Sequence, residues 1–96
     1  MAERRYHVSG DIDLENAPDL QAKLLVLVNA TNDDLVLDCT DLEFIDSMGI
    51  GVFMHTQRLL EVQERRLRVE NLHGMVRRAF DILGLVETLE GEPEPA

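Results

Sequence analysis

Cysteine, basic residues and long apolar runs are what this 96-residue chain has least of. Its single cysteine, Cys39, excludes an internal disulfide and fits a reducing compartment. Nine bases stand against nineteen acids, a formal net charge of −10. Nucleic-acid phosphates demand a basic footprint, so this balance argues against direct nucleic-acid binding, and it disfavours anionic membrane surfaces. The longest apolar run, Leu24 to Val28, falls far short of the ~20 residues that span a bilayer. No apolar segment follows Arg4-Arg5, so the N-terminus does not read as a secretory signal, and the cytoplasm is the expected location. A chain this short has room for one core, which excludes a conventional multi-domain enzyme.

What is present is the pattern of a small globular domain, with 45% apolar and 29% charged residues. The charges are uneven. Residues 11 to 46 carry ten acids and one base, Lys23, whereas five of the nine bases lie between Arg65 and Arg78. One acidic side and one more basic side are expected. There is no internal repeat. Residues 90–96, Glu-Gly-Glu-Pro-Glu-Pro-Ala, are acidic and Pro-rich without apolar anchors, and are expected to form a flexible tail after a domain at 1–89.

Periodicity divides the rest. Tyr6, Val8 and Ile12 alternate roughly, which predicts a strand over Arg5 to Ile12. Asn16 is a candidate N-cap with Pro18 in the first turn, and Ala17, Leu20, Leu24, Leu27 and Val28 recur at helical spacing to about Asn29. Leu35-Val36-Leu37 reads as a strand covered on both faces. Met48 to about Gln63 is helical, with Phe53, Thr56, Leu60 and Gln63 on one face. Arg65-Arg66 reads as the turn after it, and Leu67 to Glu70 as a further strand. His73-Gly74 opens a last helix with Val76, Ala79, Phe80 and Leu83 on its face and Gly84 as its left-handed stop. Strands alternating with helices through short connections predict an α/β fold with a mostly parallel central sheet of about four strands flanked by helices.

The stretch from Asp38 to Val52 carries the most information. After the buried strand come an acidic turn, Phe44-Ile45, and then Asp46-Ser47 opening a helix with Gly49 and Gly51 in its first turn. In open parallel sheets, binding sites lie beyond the carboxyl ends of the strands, where loops meet helix N-termini. Glycine in a helix costs up to ~1 kcal/mol relative to alanine. Two of them point either to close approach by a partner or to tight packing of the helix on the sheet. Ser47 is correspondingly either a functional hydroxyl or simply an N-cap.

This stretch resembles the signature of STAS domains, the fold of bacterial anti-sigma-factor antagonists and of the cytoplasmic tails of sulphate transporters. The typical form runs from a hydrophobic strand through an acidic turn into F/V-I-D-S-x-G-L/I-G, and Phe44 to Gly51 matches it. Gly10-Asp11-Ile12-Asp13 with Ala17 to Leu20 resembles the family's segment leading into its first helix. Arg66 to Asn71 resembles a later strand, and Val76 to Leu85 the penultimate helix. Family members commonly carry one more strand at the start and one more helix at the end. This chain has little room for either, so an exposed sheet edge that favours pairing with a partner or with itself (a homodimer) is expected.

The resemblance implies an anti-sigma-factor antagonist. The serine matching Ser47 would be phosphorylated by an anti-sigma factor that is itself a GHKL-type serine kinase, and a PP2C-type phosphatase would reset it. Bare Ser47 would allow binding and release of the sigma factor; the phosphorylated form would let go. Asp11, Asp13, Asp46, Ser47, Met48, Gly49 and Gly51 would meet the partner. Asp46 would repel the phosphate or orient the serine, or is a solvated loop carboxylate. The alternative is a STAS subunit of a bacterial lipid-transport ABC complex, bracing its ATPase.

Other chemistry is poorly represented. Asp38, Asp41 and Asp46 lack the acidic pair and later lysine of receiver-type phosphotransfer. His7, Cys39, His55 and His73 lack metal-ligand spacing, and Gly49-x-Gly51 lacks the third glycine of a dinucleotide loop. No nucleophile–base pair stands out, so no catalytic residue, metal or cofactor is expected.

Overall fold

The computed structural model describes residues 2–85. Elements alternate through the chain: β1 (Glu3–Ile12), α1 (Ala17–Ala30), β2 (Asp34–Ile45), α2 (Ser47–Glu61), β3 (Leu67–Glu70) and α3 (Gly74–Ile82). The strands form one parallel sheet in the order β1-β2-β3. The α/β class is as the periodicity predicts, but among the described residues there are three strands rather than about four. The expected tail at 90–96 lies outside the described residues.

The central strand is the largest departure. The acidic stretch after Leu37 is not a turn, because β2 runs unbroken through Asp38 to Ile45. Its acids stay on the strand by facing solvent, while Leu35, Leu37, Cys39, Leu42 and Ile45 are buried. Two register shifts against β1 accommodate its length. Between His7 and Ser9, and again between Gly10 and Asp11, β2 advances one residue more than β1. Such irregularities re-aim side chains near a sheet end.

Core residues of all three helices join Val8, Leu35, Leu37, Cys39 and Val69 in one cluster. Val36 is fully buried yet stands outside that cluster, in register with Arg5 and Arg68. The strand is therefore covered on both faces by different means. One face carries the helix layer and the other an ion-paired lattice. Arg68 reaches Glu3 at 2.8 Å and Glu70 at 2.5 Å, and Arg5 pairs with Glu70. Arg5 and Arg68 together hold the Glu70 carboxyl below its ordinary pKa. The long aliphatic stems of the arginines explain how charged side chains keep a valine dry.

Helix ends follow local chemistry. Phe53 and Phe80, both fully buried, meet at 5.8 Å between ring centroids and tie α2 to α3. Gln63 lies beyond the end of α2 and is exposed. On α3, Val76 and Phe80 are buried as expected, but Leu83 is 57% exposed because the helix stops at Ile82. Gly84 is left-handed at φ 70°. Its N–H donates to Asp81 O and that of Leu85 to Phe80 O, the paired bonds of a Schellman stop.

Arg65 is the residue whose place the sequence pattern hides. It is 7% exposed at the amino end of the sheet. Its guanidinium donates to Asp33 O at 3.0 and 2.8 Å, to Val28 O at 2.9 Å and to Gln63 Oε1 at 2.7 Å. It thus ties the end of α1, the approach to β2 and the turn after α2 together.

Candidate functional site

At the carboxyl ends of β1 and β2 two loops enter helices side by side, and Asp46 joins them. Its backbone N–H donates to Ile12 O at 3.0 Å, and its Oδ2 accepts from Leu14 N at 3.1 Å. Its Oδ1 accepts from Met48 N at 2.9 Å and Gly49 N at 3.1 Å. Asp46 is therefore the N-cap of α2, with the extended backbone a cap residue adopts. Ser47 is the first helical residue and takes no part in the cap. It is exposed. Of the two residues it is thus Asp46, half-buried, that caps α2, while Ser47 stands exposed outside the cap.

The β1–α1 loop is organised by Asp13 and Asn16. Asp13 Oδ1 accepts from Glu15 N at 3.0 Å and Asn16 N at 3.2 Å, while Asn16 Oδ1 accepts from Asp13 N at 2.8 Å. This reciprocal pair is a capping box one turn early. Asn16 occupies the N-cap position of α1 but makes no side-chain cap there, its amide donating instead to Asp11 O at 2.6 Å. Asp13 is thereby engaged locally, whereas the Asp11 side chain is exposed.

The two glycines differ. A Cβ on Gly49 would meet Ile45 Cγ1 at 2.6 Å and Ile12 Cγ2 at 2.7 Å, so its lack of a side chain lets α2 seat tightly over the strand ends. Gly49 is buried and offers a partner no surface. A Cβ on Gly51 would meet nothing within 4 Å, and that residue is exposed. Gly51 lines a groove of about 200 Å³ with Ser47, Met48, Val52, Ala17, Pro18 and Gln21.

Three large apolar side chains lie exposed on these segments: Leu14 at 67%, Phe44 at 44% and Met48 at 49%. Leu14 and Phe44 were not anticipated as site residues. Their signal was an apolar residue inside an otherwise acidic loop or strand end, which is unusual on a soluble surface. The same end of the sheet bears Asp11, Asp13, Glu15, Glu43 and Asp46. This end of the sheet thus carries exposed apolar side chains, several acids and one exposed serine. Such a surface suits a protein partner with basic and apolar groups. Among the described residues no group of three or more His, Cys, Asp or Glu side chains could hold a metal ion, and no helix is long and apolar enough to cross a membrane.

Comparison with known proteins identifies the family and the fold. Residues 2–90 match the family model described as Mlab, STAS domain. The chain is 36% identical over 84 residues to an anti-sigma-B factor antagonist of Bacillus subtilis, covering 88% of this chain and 76% of that protein. The solved structure of the anti-sigma factor antagonist SpoIIAA in its unphosphorylated form superposes with a TM-score of 0.79 at 23% identity, covering 96% of this chain and 81% of that one. The Bacillus cell fate determinant SpoIIAA in its phosphorylated form gives 0.70 at 22% identity, covering 96% and 84%. At these identities the likeness to the solved structures is one of fold. The chain belongs to the STAS domain family, where its curated relatives bear the name anti-sigma-factor antagonist.

Proposed function

We propose that this protein is an anti-sigma-factor antagonist, a cytoplasmic binding regulator without catalysis of its own. It frees a sigma factor by engaging the anti-sigma factor through the Ser47 face. The anti-sigma factor is a GHKL-type serine kinase that phosphorylates Ser47, and a PP2C-type phosphatase removes the phosphate. Asp11, Met48 and Gly51 are the contacts, with Leu14 and Phe44 added to them. Asp13 and Asp46 serve by holding the loops, and Gly49 by seating the helix.

The observation that carries this reading is the separation of duties at the start of α2: Asp46 caps the helix and Ser47 stays exposed at the end of the sheet that carries exposed apolar side chains. It also supplies a cause for release. A helix N-terminus ordinarily welcomes a phosphate through its free N–H groups. Here the N–H groups of Met48 and Gly49 are already bonded to Asp46. A phosphate on Ser47, with about −1.5 to −2 charge, would find those donors taken and a carboxylate as its neighbour in sequence. Water would have to solvate it. A docked partner that closes over Leu14, Phe44 and Met48 would strip that water, and burying an unpaired charge costs several kcal/mol. Long-range attraction between an acidic face and a basic partner is too weak across salt to offset that.

The test is a binding titration of the anti-sigma factor with wild type, Ser47→Ala and Ser47→Asp. Ser47→Ala should bind like wild type, and Ser47→Asp at least about tenfold more weakly, equivalent to ~1.4 kcal/mol. Equal affinities for the two variants would overturn the switch. Mass spectrometry of the protein from its own cells should find phosphate on Ser47. A STAS subunit bracing a transport ATPase has no need of one.

A further inference from the structure

Apart from Asp11, the edge of β1 and the groove beside it have no part in the switch. Among the described residues β1 is hydrogen-bonded to a strand on one side only, although it is ten residues long. Its outer side therefore presents backbone N–H and C=O groups that ask for a partner. Natural edges are usually blunted by proline, by short length, by a bulge in the edge strand itself or by charged side chains. β1 carries Glu3, Arg4, Arg5 and Asp11, whose mixed signs leave it open to a strand of complementary charge. β1 contains no proline, and at both of its register shifts the extra residue is in β2.

Between this edge and α1 runs a groove of about 230 Å³, lined by Tyr6, Val8 and Ile12 from the strand and by Asp19, Leu20 and Lys23 from the helix. A strand added at the edge would lay alternate side chains into it. The charges select which strand. At the start of β1, Glu3 is paired with Arg68 and Arg5 with Glu70, which leaves Arg4 as the unpaired base among the described residues there, while acids follow at its end in Asp11 and along the groove in Asp19. Run antiparallel beside itself, the strand places its own basic start against the acidic end and groove of the other copy. A parallel copy would set like beside like. Arg4 shares the strand parity of Tyr6 and Val8, so it lies on the groove side of the sheet.

We propose that the β1 edge and its groove are the pairing surface for a second copy of this chain, joined antiparallel so that two three-stranded sheets become one of six, with Arg4 of each copy against Asp19 of the other. Arg4 and Asp19 are exposed and belong to no ion pair among the described residues, so the pairing draws on charges the fold itself does not use. The groove shares no lining residue with the one beside Ser47, and Asp11 is the single residue common to this surface and the contacts proposed for the anti-sigma factor.

The experiment is sedimentation equilibrium of the whole 96-residue chain from micromolar to millimolar concentration at physiological salt. Wild type should approach twice its 10.9 kDa mass. Arg4→Glu and Asp19→Lys should each raise the dimer dissociation constant about tenfold. The two substitutions combined in one chain should restore it, a rescue that mere loss of folding could not give. Thermal melts of each variant check that the fold survives. A monomer at every concentration overturns the proposal. So does a dimer indifferent to both single changes, because such a dimer joins through another face, with the exposed Met75 and Ile82 of α3 the nearest alternative. Ser47→Asp should leave the dimer unchanged, so the fate of this inference is independent of the switch.

Discussion

The two ends of the sheet are built on opposite plans. At the amino end a buried arginine, Arg65, donates to the backbone carbonyls of Val28 and Asp33 and to the Gln63 side chain, tying the α1–β2 connection to the α2–β3 one. At the carboxyl end a carboxylate, Asp46, accepts backbone N–H groups from two loops and leaves apolar side chains and a serine exposed around it. Both ends are hydrogen-bonded through one charged residue. The amino end exposes the apolar side chain of Val62, whereas the carboxyl end exposes Leu14, Phe44 and Met48 together with a serine. The difference teaches that rigidity and availability can be set separately: the first is a matter of backbone bonds, the second of which side chains the bonds leave over.

Substitutions can break that contrast, beginning at the locked end. Arg65→Met keeps the aliphatic stem and removes four hydrogen bonds, leaving carbonyls of Val28 and Asp33 without this donor. Urea unfolding at neutral pH should show a loss of about 3 kcal/mol or more, with partner affinity of the folded fraction intact. A cost below about 1 kcal/mol would remove Arg65 from its assigned role. Next in size is Gly49→Ala, whose methyl must push aside Ile12 and Ile45. The expected loss is about 1–3 kcal/mol, read in the same unfolding curves.

Asp46→Ala should cost about 0.5–2 kcal/mol through the lost cap. It should also speed hydrogen exchange at the amides of Leu14, Met48 and Gly49, which its carboxylate now engages. Unchanged exchange there would mean that the two loops are held by something else.

A smaller effect is confined to acid. Asp38 accepts from Thr40 Oγ1 at 2.6 Å, Asn71 Nδ2 at 2.9 Å and Thr40 N at 3.0 Å, and these bonds hold its carboxyl well below the ordinary pKa. A carboxylate depressed in the folded state contributes its stability above the unfolded pKa, about 4, and loses it as pH falls toward the folded value. Melting temperature should therefore decline below about pH 4, and Asp38→Asn should flatten that decline. Smallest, and opposite in sign, is Gly51→Ala. With open space around it, the added methyl should stabilise α2 by about 0.5–1 kcal/mol while weakening partner binding. A gain in stability with no loss of binding would take Gly51 out of the contact surface.

Much of this was legible in the residues. The helical spacing of Leu20, Leu24 and Val28, the alternation of Leu67 and Val69, and the stop at Gly84 all mark what the structure contains. Elements whose charge contradicts their setting were not. Asp38 to Glu43 reads as a turn because acids are poor strand formers, yet two register shifts and a solvent-facing side keep it in β2. Arg65 reads as a turn residue because arginine is seldom buried, and no local pattern announces the distant carbonyls that satisfy it. At the site, Asp46-Ser47 stands out by its position at a helix start, but which of the two would cap could be decided only by geometry. Leu14, in the β1–α1 loop, and Phe44, near the end of β2, lie 30 residues apart in sequence, and one-dimensional periodicity does not encode that both are exposed at the same end of the sheet.

The molecule measures 40 × 31 × 20 Å. Its shortest dimension is close to the thickness of one sheet and one helix layer, at about 10 Å each. A slab that thin keeps its single core close to every surface. On the proposed reading the domain would work as a stiff token: its message is printed on the outside, and any reader must touch the letter itself.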